Sequence, residues 1–435
     1  MQVSLKEIKK FFPKKVFLRL EPVYHFSLAF LAAVFYGFPS RRLKVIGVTG
    51  TKGKTSTVEL IHAILEEGGF KTASLSSLRF KVGDKEEKNT TKMTMPGRFF
   101  IQNFLHEAVK AGCTHVVLEV TSQGIKQFRH RFIRFDTAVM TNLAPEHLES
   151  HGGLERYLRA KLDLFWRLKP EATEIVNRDD VLAARFLAAT RAKKGLYGKG
   201  GIEINGKLFP VKEVEITQKG IGFEVGDMEF HSSMLGEFNF YNILAAVSVG
   251  LREHISLEKI KEGIKKISGI SGRLEFIQKE PFAVVVDYAH TPDSLRSVYG
   301  FLRDLNPKSY SLDPRLICVL GAAGGGRDKW KRPEMGRIAV EFCSEIILTN
   351  EDPYDEDPIA IINDIFAGIP KEHQAKAKSY TDRREAIYES LKLAEVGDAV
   401  VITGKGAENC IMGSGGEKIP WDDREVAREE LKKQK

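Results

Sequence analysis

One stretch near the start constrains this chain more than any other. The β-branched run KVIGVTG (44–50) enters Gly50-Thr51-Lys52-Gly53-Lys54-Thr55-Ser56 and continues into the helical pattern TVELIHAILEE. A strand that turns through glycines into a helix specifies an α/β unit whose helix packs back on a parallel sheet. Gly50 and Gly53 let backbone N–H groups approach an anion, and the helix N-terminus adds partial positive charge. The spacing departs from GxxxxGK[ST]: it is shorter counted from Gly50 and one residue longer counted from Gly47, so this is a variant phosphate loop. In such a loop Lys54 reaches the terminal phosphates of a nucleotide and Thr55 a magnesium ion, with Thr51, Lys52 and Ser56 completing the cradle.

Further apolar runs follow at 115–120, 136–143, 173–177, 282–290, 315–321, 344–350 and 398–404, separated by longer amphipathic stretches. Continuous apolar strands alternating with helices predict a mostly parallel sheet covered on both faces. Between about 196 and 236 the pattern changes to short, glycine-punctuated strands, which predicts an antiparallel insert at the edge of the first sheet. A second strand–helix series starts after SGISGR (268–273). The expected division is a short N-terminal segment (1–42), a nucleotide-binding domain (43–271) and a second, Rossmann-like α/β domain (272–435). Unusual polar residues sit at strand ends, where open α/β sheets bind ligands.

At 435 residues the chain exceeds one ordinary core. A net charge of +8 suits polyanionic small molecules or a basic surface, and no nucleic-acid-binding signature accompanies it. Cys113, Cys318, Cys343 and Cys410 are scattered without a CxxC pair, which predicts reduced thiols in a cytoplasmic protein. No secretory cleavage site is evident. Residues 22–39 are apolar, interrupted by His25 and flanked by basic residues on both sides. The run is marginal for a span of roughly 20 apolar residues. It predicts a helix that either caps the sheet or makes a peripheral membrane contact through 22–38.

Two more residues, Glu119 and His147, suggest a metal site beside the phosphate loop, and a third, Lys161, stands where a lysine is unusual. Glu119 ends the run HVVLEV, so its carboxylate emerges at the ligand edge. His147 lies in PEHLESH, just after another strand. In LERYLRAKLDLFWRL, the residues Leu154, Leu158, Lys161, Leu162 and Phe165 fall on one helical face. A lysine facing inward is costly unless its charge is paired or removed.

With these parts assembled, the chain resembles the Mur ligase family, closest to its UDP-N-acetylmuramoyl-tripeptide synthetase class. The resemblance rests on GTKGKTS and, in order, EVTSQGIKQFRH (119–130), TNLAPEHLESHG (141–152), AKLDLF (160–165), NRDD (177–180), GEFNFYNILAA (236–246), SGR (271–273), DYAHTPDSL (287–295), GRDKWKRPEMG (326–336), NEDPYDEDP (350–358) and GKGAE (404–408). It implies an ATP-dependent ligase that phosphorylates the carboxylate of a UDP-muramoyl-dipeptide and lets an amino acid, diaminopimelate or lysine, attack the acyl phosphate during peptidoglycan precursor synthesis. It further implies that Lys161 is carbamylated and, with Thr55, Glu119 and His147, holds Mg²⁺.

By the same resemblance Asn177, Asp179, Asn239, Arg273, Asp287 and His290 complete the ATP site. Thr94, Thr121, Gln127 and Arg129 hold the acceptor, and Arg327, Glu351, Asp352, Tyr354, Gly404 and Glu408 receive the amino acid. The chain departs from the pattern in four places: TMP for TTP, EVTSQG for EVSSHG, EDPY for DNPR, and GKGAE for GKGHE. Tyr354 cannot clamp a distal carboxylate as the arginine does. The family's UDP-binding domain also needs about twice the length of residues 1–42, so uridine recognition is expected to be reduced, relocated or absent. That departure keeps open a different acceptor, lipid-linked or polymeric, or a non-catalytic ATP-binding role.

Overall fold

The structure is a computed structural model, and it describes residues 14–146, 148–305 and 314–434. Ten strands form the first sheet. They are β1 (Lys44–Thr49), β2 (Thr72–Leu75), β3 (Arg79–Val82), β4 (Lys85–Lys88), β5 (His115–Glu119), β6 (Thr137–Met140), β7 (Thr173–Asn177), β8 (Lys193–Gly198), β9 (Gly201–Ile204) and β10 (Lys207–Phe209). Their order is β10-β9-β8-β7-β6-β1-β5-β2-β3-β4. The stretch from β2 to β8 is parallel, and an antiparallel hairpin closes each edge.

The central strands are apolar throughout because both sheet faces are covered. On one face lie α2 (Lys54–Glu67), α5 (Glu237–Arg252) and α6 (Leu257–Lys265); on the other lie α3 (Arg98–Lys110) and α4 (Leu154–Phe165). Every residue of α2 from Thr55 to Leu65 is buried. At about 1.5–3 kcal/mol per fully buried aliphatic side chain, its Val58, Leu60, Ile61, Ile64 and Leu65 anchor the phosphate loop firmly.

The insert divides differently from the expectation. Strands β8 to β10 extend the first sheet, whereas β11 (Val211–Thr217), β12 (Gly220–Val225) and β13 (Met228–Ser232) form a separate three-stranded antiparallel sheet. Phe223 and Phe230 stack across β12 and β13, and Phe240 of α5 packs edge-on against Phe223.

A second open sheet has the order β14-β15-β19-β16-β17-β18. It comprises β14 (Glu275–Gln278), β15 (Ala283–Asp287), β16 (Leu316–Leu320), β17 (Glu345–Thr349), β18 (Ala377–Tyr380) and β19 (Ala399–Thr403), parallel except for β14. Apolar clusters cover both of its faces. Cys318 in β16 and Cys343, just before β17, are joined by a disulfide, while Cys113 and Cys410 are buried free thiols. This corrects the expectation of four reduced thiols. The pairing joins neighbouring parallel strands 25 residues apart, a proximity that no local cysteine spacing encodes.

The apolar N-terminal segment forms α1 (Lys14–Phe35). Its buried Ala29, Ala32 and Ala33 allow close packing on α3 rather than over the central sheet. Phe26 and Phe30 meet Phe132 edge-on at 5.2 and 5.4 Å. Val23, Leu31, Val34 and Phe35 remain exposed. No helix among the described residues is long and apolar enough to cross a membrane.

Candidate active site

The phosphate loop lies at the C-terminal end of β1. Gly50 has φ +155° and Gly53 φ +80°, and a side chain at either would collide with Thr141 or Asn242. Asn142 pins the loop from outside, accepting from Thr51 N at its carbonyl and from Lys52 N at Oδ1, both at 2.9 Å. Lys54 folds back so that Nζ donates to Gly50 O (3.1 Å) and Thr51 O (2.8 Å). Burial lowers the pKa of this ammonium, with Glu119 and Glu146 opposing the shift.

Lys161 reaches the same loop from α4. It is 1% exposed, donates to Gly50 O at 2.6 Å and lies 4.7 Å from the ring centroid of Tyr157. Burial, reinforced by the positive charge of Lys54, pushes its pKa well below the usual lysine range. The amine is thereby biased towards its neutral, nucleophilic form, the form that reacts with carbon dioxide to give a carbamate. Leu154, placed on this face from sequence, is instead exposed, and Tyr157 takes the inward position.

Glu119 is the junction of the site. It accepts from Thr55 Oγ1 at 3.0 Å on one side and from Ser77 N at 2.9 Å on the other, and Ser77 Oγ lies 2.8 Å from Thr94 Oγ1. Among the described residues no group of three His, Cys, Asp or Glu could hold a metal ion, and His147 lies outside the described residues. The Thr55 hydroxyl and the Glu119 carboxylate are oxygen donors of the kind Mg²⁺ prefers, so these two residues would fit such a cation.

The remaining expected nucleotide residues fall in two groups. Asn177 Nδ2 donates to Thr141 O (3.1 Å), and Asp179 accepts from Lys199 N (2.8 Å) and Tyr241 Oη (3.0 Å). Asn239 supports Asn242, whose Nδ2 donates to Asn239 Oδ1 at 3.0 Å; Asn242 is the residue nearer Gly53. From the second sheet, Asp287 at the end of β15 accepts from Leu274 N and Ala289 N, and the Arg273 guanidinium lies 4.0 Å over the Tyr288 ring. Glu146 bridges the halves, accepting from Lys52 Nζ at 2.9 Å with His290 Nε2 at 3.2 Å. Burial and nearby Lys52 push His290 down to about 4, so its ring is neutral at pH 7.

Beside Thr94 the expected acceptor residues cluster with two arginines. Thr121 caps the short helix Ser122–Lys126, accepting from Gly124 N at 3.1 Å. Arg129 donates to Met95 O and Gln127 Oε1, and Arg98 of α3 donates to Gln127 O and faces His25 of α1. Burial pulls Arg129 down to about 10 and lowers Arg98, and neither arginine has an ion-pair partner among the described residues. Two partly desolvated cations without an anion have the charge to take an anionic ligand.

The expected amino-acid residues converge at the C-terminal ends of β17 and β19. Arg327 Nη2 donates to Tyr354 Oη at 2.8 Å, with the guanidinium 4.8 Å from the ring centroid. Lys405, fully buried, donates to Asp352 Oδ1 (2.7 Å) and Glu408 Oε2 (2.6 Å). Lys92, from the acceptor side, donates to Glu408 Oε2 at 2.7 Å and to Cys410 O at 2.8 Å. Those two ammoniums hold the Glu408 carboxyl down at about 2 despite burial. Gly404 has φ +110°, and a side chain there would meet Glu351. Ser77, Lys92, Arg98, Asn242 and Lys405 were not singled out from sequence; Asn242 and Lys405 lie inside motifs already quoted, the other three between them.

Comparison with known proteins agrees with this architecture. Residues 48–250 match the Mur ligase middle domain and residues 272–406 the Mur ligase, glutamate ligase domain. The chain is 39% identical over 415 residues to the UDP-N-acetylmuramoyl-L-alanyl-D-glutamate--2,6-diaminopimelate ligase of Syntrophomonas wolfei, covering 93% of this chain and 82% of that protein. It is 35% identical over 430 residues to the UDP-N-acetylmuramyl-tripeptide synthetase of Roseiflexus sp., with the same two coverages of 93% and 82%. Among solved structures, a UDP-N-acetylmuramoyl-L-alanyl-D-glutamate--2,6-diaminopimelate ligase aligns with TM-score 0.58 and 31% identity, over 90% of this chain and 79% of that one. The folylpolyglutamate synthase of Mycobacterium tuberculosis, complexed with ADP and AMPPCP, shares the fold at TM-score 0.70 and 17% identity, over 88% and 92% of the two chains.

Proposed function

The chain belongs to the Mur ligase family of ATP-dependent amide-bond ligases, and from that premise we propose that it joins an amino acid to the free carboxylate of a UDP-muramoyl-dipeptide in peptidoglycan precursor synthesis. The observation that carries this reading is Glu119, which ties Thr55 of the phosphate loop to Ser77 and Thr94 of the acceptor loop. A γ-phosphate on the loop and a carboxylate beside Thr94 then lie next to each other. The acceptor carboxylate attacks the γ-phosphorus, ADP leaves, and the amine of the second substrate displaces phosphate from the acyl phosphate.

In this reading residues 43–271 bind ATP and acceptor and residues 272–435 present the amino acid. Lys54 and Lys52 hold the phosphates, Asn177, Asp179 and Asn239 border the nucleotide, and Arg273, Asp287 and His290 close over it from the second sheet. Thr121, Gln127, Arg129 and Arg98 hold the anionic acceptor. Thr55, Glu119, His147 and a carbamylated Lys161 would hold Mg²⁺, which offsets the charge on the transferring phosphoryl group. Arg327, Asp352, Tyr354, Gly404 and Glu408 line the amino-acid pocket. Incubation with ATP, UDP-muramoyl-dipeptide and either diaminopimelate or lysine should yield a tripeptide by mass spectrometry, with ADP release that needs both co-substrates. ATP turnover indifferent to the dipeptide would refute the acceptor assignment.

The exposed apolar face of α1, with exposed Arg41 and Arg42 after it, favours a peripheral contact with the cytoplasmic leaflet. Co-sedimentation with anionic vesicles should occur at low salt and weaken as salt rises, because basic side chains near such a surface contribute about 1 kcal/mol each. Absence of binding at low salt would remove the membrane contact.

A further inference from the structure

Lys92 reaches from one half of the molecule into the other. It lies in the segment 89–93, which Asn89 braces. Asn89 Oδ1 accepts from Thr91 N at 3.0 Å and Thr91 Oγ1 at 2.7 Å, and its Nδ2 donates to Ser76 O at 3.0 Å and Met93 O at 3.1 Å. Lys418 of the second half donates to Thr90 O at 3.4 Å. Lys92 itself has φ +57°, in the left-handed region that a residue with a side chain seldom occupies. Its backbone is thus held in an uncommon conformation, and the side chain crosses to residues 352–410.

The ammonium meets a set of acceptors suited to a primary amine. Nζ donates to Glu408 Oε2 at 2.7 Å and to Cys410 O at 2.8 Å, and Asp352 Oδ2 lies 3.9 Å away. Three oxygens, two of them from carboxylates, face a group with three N–H protons. The other carboxylate positions are taken. Lys405 donates to Asp352 Oδ1 and shares Glu408 Oε2, Met412 N donates to Asp352 Oδ1, and Tyr288 Oη reaches Glu408 Oε1 at 3.3 Å. Lys405 is fully buried in the same half as its partners, whereas Lys92 comes from the other half and its side chain is 15% exposed. Of the two ammoniums, Lys92 is the one that can leave.

We propose that Lys92 is a tethered competitor: before the amino acid binds, its ammonium fills the place that the distal ammonium of that amino acid takes, and the amino acid displaces it. This rests on the assignment of Asp352 and Glu408 to the amino-acid pocket made above. Lysine and diaminopimelate both carry a second amine on a flexible chain, the same group that Lys92 presents. Once Lys92 withdraws, Cys410 O loses its donor and Glu408 keeps one cation, so an arriving ammonium finds the same charge and the same hydrogen bonds. The exchange is like for like. Lys92 therefore sets the affinity for the amino acid without touching the reacting atoms. A pocket that is open only part of the time binds its ligand more weakly by that fraction. The segment also runs directly into Thr94, whose hydroxyl lies 2.8 Å from Ser77 Oγ, so a movement that frees Lys92 is felt on the acceptor side.

The test is Lys92→Met, which keeps a long apolar side chain and removes its charge, beside Lys92→Arg, which keeps the charge. Binding of L-lysine and of diaminopimelate to the full chain is measured by titration calorimetry, and kcat and KM come from tripeptide formation. Lys92→Met should bind the diamino acid that the enzyme uses roughly tenfold tighter, as for a pocket that Lys92 fills about nine-tenths of the time. KM should fall alike and kcat should change little. Norleucine and 2-aminopimelate, which lack only the distal amine, should gain nothing, and Lys92→Arg should behave as the wild type. Adding Glu408→Gln to Lys92→Met should weaken diamino-acid binding again. A Lys92→Met protein that binds the diamino acid no tighter, or that loses kcat, makes Lys92 a contact that closes the two halves and overturns the proposal. An equal gain for the analogues overturns it too. The double variant separates the two readings: weakened binding there leaves the pocket assignment standing even when Lys92→Met alone shows no gain. Unchanged binding there removes the pocket assignment, and the competitor role with it.

Discussion

Replacing Lys54 with alanine should lower acceptor-dependent ADP release by roughly 10³-fold or more, within the range seen when a charge partner of a transferring group is removed. Lys54 is the residue of the loop whose ammonium is half-buried and donates to backbone carbonyls, Gly50 O and Thr51 O. Carbonyl contacts are readily exchanged for phosphate oxygens, which offer a full charge. The fold should survive, since α2 is anchored by its apolar side chains and the loop by Asn142. Removing a half-buried ammonium also relieves its desolvation cost. Stopped-time ADP assays together with thermal melting check this. A folded variant with substantial ADP release would remove Lys54 from the phosphate site.

Lys161→Ala should bring a comparable loss, roughly 10²–10³-fold in ligation, for a different reason. The wild-type side chain, buried on α4 and bonded to Gly50 O, is held where positive charge is disfavoured by burial and by Lys54. Conversion to a carbamate would replace that disfavoured ammonium with an anion whose charge a cation near Glu119 could offset. Alanine supplies neither. Lys161→Glu, which brings a carboxylate on a shorter stem, should recover a small part of the activity. Rates compared in bicarbonate-replete and bicarbonate-depleted buffer separate the carbamate from simple packing. An alanine variant that keeps the wild-type rate in depleted buffer contradicts the carbamate.

How far the sequence could be read depended on whether the information was local. The strands at 44–49, 115–119, 173–177 and 399–403 fall where continuous β-branched runs placed them, because burial on both sheet faces demands apolar residues at every position. The inward Lys161 was visible from helical periodicity, although the same periodicity misplaced Leu154, which sits at the exposed start of α4. The pairing of Cys318 with Cys343 depends on strand order, and strand order is a property of the folded sheet. Ser77, Lys92 and Arg98 lie on connecting segments and a helix start with no periodic signature. Their contacts appear only when the segment 77–98 folds against Glu119, Gln127 and, in the second half, Glu408. The 196–236 insert was recognised by its glycines, but glycines mark turns and do not say which sheet the strands join.

The helix α1 illustrates the same limit from the opposite side. Its apolar content was evident, and the expected placements were a cap on the central sheet or a peripheral contact with a membrane surface. Three alanines dock it on α3 rather than on the sheet and leave Val23, Leu31, Val34 and Phe35 exposed, the face on which the proposed membrane contact rests. Hydrophobicity alone reports that a surface is apolar. Small residues at close approach decide which side of it is covered.

The most direct test of the central claim follows one oxygen atom. If the chain activates the dipeptide carboxylate as an acyl phosphate, UDP-muramoyl-dipeptide carrying heavy oxygen in its free carboxylate should transfer one labelled oxygen to the inorganic phosphate released with each amide formed. Mass spectrometry of that phosphate, beside ADP and the tripeptide product, gives the answer. One heavy oxygen per phosphate is the predicted result. Unlabelled phosphate accompanying tripeptide formation would contradict the account.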